Sequence, residues 1–169
     1  MRLDVEYTWD GVRIGDDEIV EIEATSTDSH LFIEVQAPYH GDPAPPRAPG
    51  SCPRLWEHEV VECFFVGDDE RYLEVELGPH GHYLLLSLSG PRHVEREGMD
   101  ALYTITRSRT RWAGRMELPL ELLPGTIRSV NAFAIHGAGS QRRYLCFHPL
   151  PGAPPDFHQP SRFPLIAGL

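Results

Sequence analysis

Carboxylates crowd one stretch of this chain. Glu57, Glu59 and Glu62 lie in LWEHEVVECFFV, an acidic break GDDE follows, and Glu74 and Glu76 lie in RYLEVELGPHGHYLLLSLSG. Carboxylates held close together can accept sugar hydroxyls, hold a cation, or divide acid and base roles in glycoside hydrolysis. Charges are costly to bury, so these side chains are expected to face water, a partner or a ligand. Trp56 stands where a Pro-rich loop meets this stretch, either as a stacking platform for a ligand or as a rim residue capping the sheet. The ligand-binding candidates are therefore Trp56, Glu59, Glu62, Tyr72, Glu74 and Glu76.

Histidine supplies the second candidate chemistry. His80 and His82 sit two apart in the turn GPHGH, and His136, His148 and His158 fall at strand ends or in the irregular tail. If their loops converge, His80, His82 and His136 could bind a divalent metal together with a glutamate or Asp156, because neutral imidazole ligates zinc-type ions well. Their spacing matches no established zinc signature. Gly137-Ala138-Gly139-Ser140 could cradle an anion, and a turn between strands explains it equally well.

Other chemistries are excluded. The chain has no lysine, hence no Schiff-base lysine, phosphate-loop lysine or lysine general base. It contains no Gly-x-Ser-x-Gly and no reactive cysteine context. Cys52, Cys63 and Cys146 form no close-spaced pair, which argues for free thiols, with Cys63 filling the core.

The elements that must position these residues are strands. Glu59 to Val66, Arg71 to Leu77 and Tyr83 to Ser89 read as an antiparallel meander, since apolar and β-branched residues are dense and turn formers cluster at the breaks. Further strands are expected at Leu3 to Trp9 with Val12 to Ile14, and at Ile19 to Ala24, His30 to Gln36, Ala101 to Arg107, Arg111 to Leu118, Ser129 to Ile135 and Arg143 to Phe147. Pro91 to Asp100 reads as a charged connection. ELPLELLPG reads as one short helical turn. Ala37 to Pro53 is too rich in Pro and Gly to pair in a sheet, and is expected to lie as a long loop over one end of it.

Turn length decides where the carboxylates point. Side chains alternate, so Leu73, Val75 and Leu77 face one way and Tyr72, Glu74 and Glu76 the other. VVECFFV is apolar on both faces, which leaves its register open. If Val66 pairs with Arg71, Glu62 lies opposite Val75 and enters the core. A loop one residue longer or shorter places Glu62 with Glu74 and Glu76, with Phe64 and Tyr72 beside them. The second register avoids a lone buried carboxylate and is the one expected. Acceptors flanked by aromatic rings suit polyhydroxylated or cationic small molecules.

Composition bounds the rest. A chain of 169 residues is the size of one domain, 1–169, and many short strands with almost no helix indicate an all-β, antiparallel sandwich or barrel. The net charge of −10 argues against nucleic acid. No run is apolar enough to span a membrane and no apolar signal region opens the chain, so a cytoplasmic protein is expected.

Several motifs together carry a resemblance. LWEHEVVECFF, YLEVELGPHGHYLLLSLSG, DPAPPRAPG, Trp112 to Gly114, NAFAIHG (Asn131 to Gly137) and PDFH (Pro155 to His158) resemble an uncharacterised family of bacteria and animals, whose vertebrate member is the chromosome-four open-reading-frame-thirty-three protein. More distantly, the element order is similar to carbohydrate-binding module family nine. The corresponding features are Glu59 and Glu62, Tyr72, Gly81, Trp112 to Gly114, and Leu118 to Pro124. That likeness implies a β-sandwich and suggests sugar binding, although Trp9, Trp56 and Trp112 do not match that family's ligand-sandwiching tryptophans. The expected function is binding of a small polar, carbohydrate-like ligand on the acidic and aromatic face. The alternatives are a metal-assisted or carboxylate-based hydrolase, and an interaction module using the Pro-rich loop.

Overall fold

Strands form where β-branched and aromatic residues recur with period two, and they end where Pro, Gly and Asp cluster. The computed structural model describes residues 1–150, 152 and 154–166. It contains β1 (Tyr7–Thr8), β2 (Glu21–Ser26), β3 (His30–Pro38), β4 (Gly50–Ser51), β5 (Val60–Gly67) and β6 (Tyr72–Leu77). β7 (His82–Leu88), β8 (Val94–Glu97), β9 (Leu102–Arg107), β10 (Arg111–Pro119), β11 (Ile127–His136) and β12 (Arg143–Cys146) follow.

These strands build a β-sandwich. The larger sheet has the order β1-β12-β11-β5-β6-β7-β4, with β8 added on β7, and the smaller has β2-β3-β10-β9. Pairing is antiparallel except where the short β4 runs parallel to β7. The main core lies between the sheets. It includes Ile33 and Val35 of β3, Cys63 and Phe65 of β5, Val75 of β6, Leu85 of β7 and Met116 of β10.

The larger sheet is also covered on its outer face. Phe64, Tyr72, Leu84 and Phe133 meet Trp9, Leu55, Leu150, Phe157 and Phe163, which arrive from loops and the tail. Trp9 Nε1 donates to the Gly152 carbonyl at 2.6 Å, tying the N-terminal segment to the tail. A sheet buried on both faces needs strands apolar on both faces, which explains VVECFFV. The three cysteines are free and buried.

Several expectations change. The Pro-rich loop, expected not to pair, contributes β4, which pairs with β7. Of Leu3 to Trp9 only Tyr7–Thr8 is a strand, paired with β12, and Val12 to Ile14 forms none. The charged connection Pro91 to Asp100 contains β8, whose residues are all exposed. A short charged edge strand of this kind resists pairing with other chains. The single helical turn is present as Leu120–Leu122, and three more isolated 3-10 turns occur at Leu55–Glu57, Gly139–Gln141 and Pro160–Arg162. Turns of one hydrogen bond are too short to leave a periodic signal in sequence.

The Pro-rich loop is fastened over one end of the larger sheet. His82 Nε2 donates to the Arg47 carbonyl at 3.0 Å and His80 Nε2 to the Asp42 carbonyl at 3.1 Å. Asp42 Oδ2 accepts the Gly137 N–H at 2.7 Å. Proline-rich backbone pairs poorly with itself, so its carbonyls and the flanking amides are satisfied by side chains.

Candidate functional site

Val66 pairs with Tyr72 across the connection that runs from Gly67 to Arg71, so Glu62 lies opposite Glu76 and Phe64 opposite Glu74. This is the register that gathers the carboxylates on one face. The face is not the solvated one, however. Glu62, Glu74 and Glu76 are 2 %, 3 % and 0 % exposed, because the Leu55–Glu57 turn and the tail close over the sheet.

Each of the three offers an oxygen, and these atoms all lie within 4.8 Å of one another. Both oxygens of Glu76 and Oε2 of Glu74 have no hydrogen-bond partner among the described residues. Burial raises all three acidities' pKa values: Glu62 and Glu76 stand well above the usual carboxylate range, and Glu74 is pushed up to about 8. Neighbouring carboxylates raise Glu62 and Glu76 further. The Trp56 amide eases Glu76 slightly but falls outside ordinary hydrogen-bonding geometry.

The cation that acts on Glu62 is engaged elsewhere. Arg142 eases the ionisation of Glu62. Its guanidinium donates to the carbonyls of Gly137 at 3.0 Å, Glu57 at 3.2 Å and Trp56. Those bonds fix the turn that carries Trp56. The turn is preceded by Arg54 in the left-handed region, at φ 61°.

Glu62 and Glu74 open into a cavity of about 370 Å³ whose walls include Trp56, Tyr144, Phe157 and Arg92. The tail segment forms one side. Phe157 stacks on Phe133 with centroids 3.9 Å apart and planes 7° from parallel. Arg92 pairs with Asp156 at 2.6 Å, and Asp156 also accepts the His158 N–H at 3.0 Å. The Tyr72 hydroxyl accepts the Arg92 N–H at 3.3 Å, so its own proton goes to His158 Nδ1 at 2.7 Å. His158 is thereby a neutral imidazole with its proton on Nε2. Its pKa is held down to about 4, first by burial and then by Arg92.

Trp56 is 39 % exposed at the cavity wall beside Glu62 and Glu74, while Glu76 sits deeper. Tyr72 is buried behind the cavity and acts on it through His158 and Arg92. Glu59 lies immediately before β5, where it accepts the His40 and Asp42 amides at 3.0 and 3.3 Å and anchors the loop. The structure does not gather His80, His82 and His136. His80 accepts from Arg107 at 2.6 Å while bonding the loop, His82 also bonds the loop, and His136 stacks on His40 and contacts Glu18 at 3.1 Å. Among the described residues, the group whose donor atoms could share one coordination shell is the glutamate triad.

Arg92, Tyr144 and Phe157 were not among the site candidates read from sequence. Arg92 lies in the charged connection and Phe157 in an irregular tail, where no periodicity marks a facing side chain. The tail motif PDFH was the one available signal.

No family model matches the chain. It is 39% identical over 172 aligned positions to the rat UPF0462 protein C4orf33 homolog, covering 96% of this chain and 86% of that one. The human UPF0462 protein C4orf33 is 38% identical over 167 positions, covering 94% and 83%. The chain belongs to the UPF0462 family. Within the solved structures, this UPF0462 chain matches a Bacteroides uniformis crystal structure described as "a putative carbohydrate-binding protein", with TM-score 0.73 over 96% of this chain and 83% of that one. At 16% identity the likeness shows a common fold. It shows nothing about which side chains are shared.

Proposed function

We propose that this UPF0462 protein binds a small polyhydroxylated ligand of the carbohydrate class in the cavity between Trp56 and the tail. The observation that carries this reading is the placement of buried carboxyl groups at the base of an aromatic-walled cavity. Aromatic faces cover the apolar C–H faces of a sugar ring, and carboxyl groups exchange hydrogen bonds with its hydroxyls. Arg92 and the Nε2–H of His158 supply donors for ring and hydroxyl oxygens. The description of the Bacteroides neighbour is compatible with this ligand class.

Binding suits the geometry better than hydrolysis. Glu62, Glu74 and Glu76 stand side by side on two adjacent strands. Glycoside cleavage needs two carboxyl groups flanking the scissile bond.

The test is calorimetric titration with a panel of mono- and oligosaccharides. At least one sugar class is expected to bind, and Trp56→Ala is expected to weaken it at least tenfold without changing the melting temperature by more than a degree or two. A panel with no binder, or binding indifferent to Trp56→Ala, rejects this assignment.

A further inference from the structure

Among the described residues no guanidinium forms an ion pair with Glu62, Glu74 or Glu76, so once ionised the three need a countercharge from elsewhere. Glu76 is fully buried, and among the described residues both its carboxyl oxygens are unpartnered, as is Glu74 Oε2 beside it. A natural fold rarely leaves such groups bare, because each costs its full desolvation penalty. The guanidinium of Arg142, which acts on Glu62, is committed to three backbone carbonyls. Either protons or a metal ion must therefore neutralise the cluster.

We infer that Glu62, Glu74 and Glu76 form a binding site for one hard divalent cation of the calcium type, with its open coordination positions facing the cavity. The donor set is all oxygen, which selects calcium, magnesium or manganese over zinc or copper. The nearest imidazole nitrogen, His158 Nδ1, lies 4.0 Å from Glu74 Oε2 and already receives the Tyr72 hydroxyl proton. It is thus unavailable as a ligand. Calcium binds oxygen at about 2.3–2.6 Å, so oxygens of one shell lie no more than about 5 Å apart. Donor atoms within 4.8 Å of one another are compatible with that shell.

Three carboxylates supply at most half a dozen oxygens, and calcium takes roughly six to eight. Glu62 and Glu74 border the cavity, so the remaining positions open toward it. Water fills them in the free protein. In the bound state two neighbouring hydroxyls of the ligand take their place, a step that rests on the sugar-binding assignment above. The cation site itself does not depend on it.

The experiment begins with chelator-treated full-length protein titrated with calcium, magnesium and manganese by calorimetry and thermal shift. Terbium serves as a luminescent hard-cation probe, sensitised by the nearby Trp56. One equivalent of calcium is expected to bind and to raise the melting temperature by several degrees. Glu62→Gln and Glu76→Gln, which keep side-chain volume, are expected to weaken calcium at least tenfold. Glu57→Gln, on the exposed side of the same turn, and Trp56→Ala are expected to retain it by calorimetry. Circular dichroism confirms that each variant is folded before titration. No binding of any of the three ions to the wild type, a preference for zinc with calcium silent, or undiminished binding in both glutamine variants overturns the inference. Calcium binding without any sugar binding upholds the cation site and rejects the ligand assignment. Sugar binding that persists unchanged after chelation, with no cation bound, does the reverse.

Discussion

The Tyr72 hydroxyl gives its proton to His158 Nδ1 at 2.7 Å, joining the middle of the larger sheet to a tail 86 residues further along the chain. This bond holds one wall of the cavity in place. Around it, the ring of His158 packs edge-on against Phe64, and Phe157 lies flat on Phe133. The tail is therefore part of the site and not a covering strap.

Tyr72→Phe keeps the buried ring and removes the hydroxyl that serves both His158 and Arg92. A net intramolecular hydrogen bond contributes about 0.5–1.5 kcal/mol, and two partners are stranded here, so a loss of about 1–2 kcal/mol is expected in the denaturant midpoint. Cleavage within the tail in limited proteolysis is expected to quicken as well. If midpoint and cleavage rate both match wild type, the tail is held by its aromatic stacking alone.

Asn131 is a second long-range clamp. It is fully buried, accepts the N–H groups of Ala132 and His148 at 2.9 and 3.0 Å, and donates to the His148 carbonyl at 3.0 Å. A side-chain amide here completes the hydrogen bonding of a segment that no strand pairs. Asn131→Leu leaves those backbone groups without it and is expected to lower stability by about 1–3 kcal/mol. Urea unfolding reads this directly. A neutral result would mean that solvent satisfies the His148 backbone.

Sequence alternation placed most strands to within a few residues, and it placed Glu62, Glu74 and Glu76 together because the alternative register would have isolated Glu62 against Val75. What it could not give was depth. Burial of that face depends on Trp9, Phe157 and Phe163, which reach it from separate irregular segments. The same holds for Arg92 and His158, whose roles arise from contacts with Tyr72 and Asp156 made across the fold. Glu59 looked equivalent to Glu62 by type, yet it precedes β5 and its carboxylate is held by the amides of the loop.

The loop contact predicts a pH dependence. His40 lies flat on His136, centroids 3.5 Å apart, with Glu59, Glu18 and Asp42 near it. Burial lowers its pKa, the charge of His136 lowers it further, and the three acids pull only weakly the other way. The ordinary histidine value is about 6.5, so below that pH the unfolded chain binds the proton more readily than the folded one. The contribution of neutral His40 is therefore full above about pH 6.5 and is lost as pH falls toward the lowered folded value. The stability advantage of wild type over His40→Phe is expected to shrink steadily from about pH 7.5 to pH 5. An advantage that stays constant across that range would show that His40 does not titrate with folding.

The last expectation concerns strain at the cavity wall. Arg92 is a non-glycine residue in the left-handed region, at φ 63°, following Gly90-Pro91. That conformation costs an L-residue roughly 1 kcal/mol and persists where surrounding contacts impose it, often at binding sites. Its ion pair with Asp156 is more than half exposed on the arginine side and contributes at most about 1 kcal/mol. Arg92→Gly relieves the strain while losing the pair, so stability is expected to change by less than about 1 kcal/mol. Ligand affinity, in contrast, is expected to fall at least fivefold, because a donor at the cavity wall is gone. Arg92→Ala keeps the strained backbone and is expected to be the less stable of the two variants while binding equally weakly. A glycine variant that loses several kcal/mol with unchanged affinity would make Arg92 a structural residue and remove it from the site.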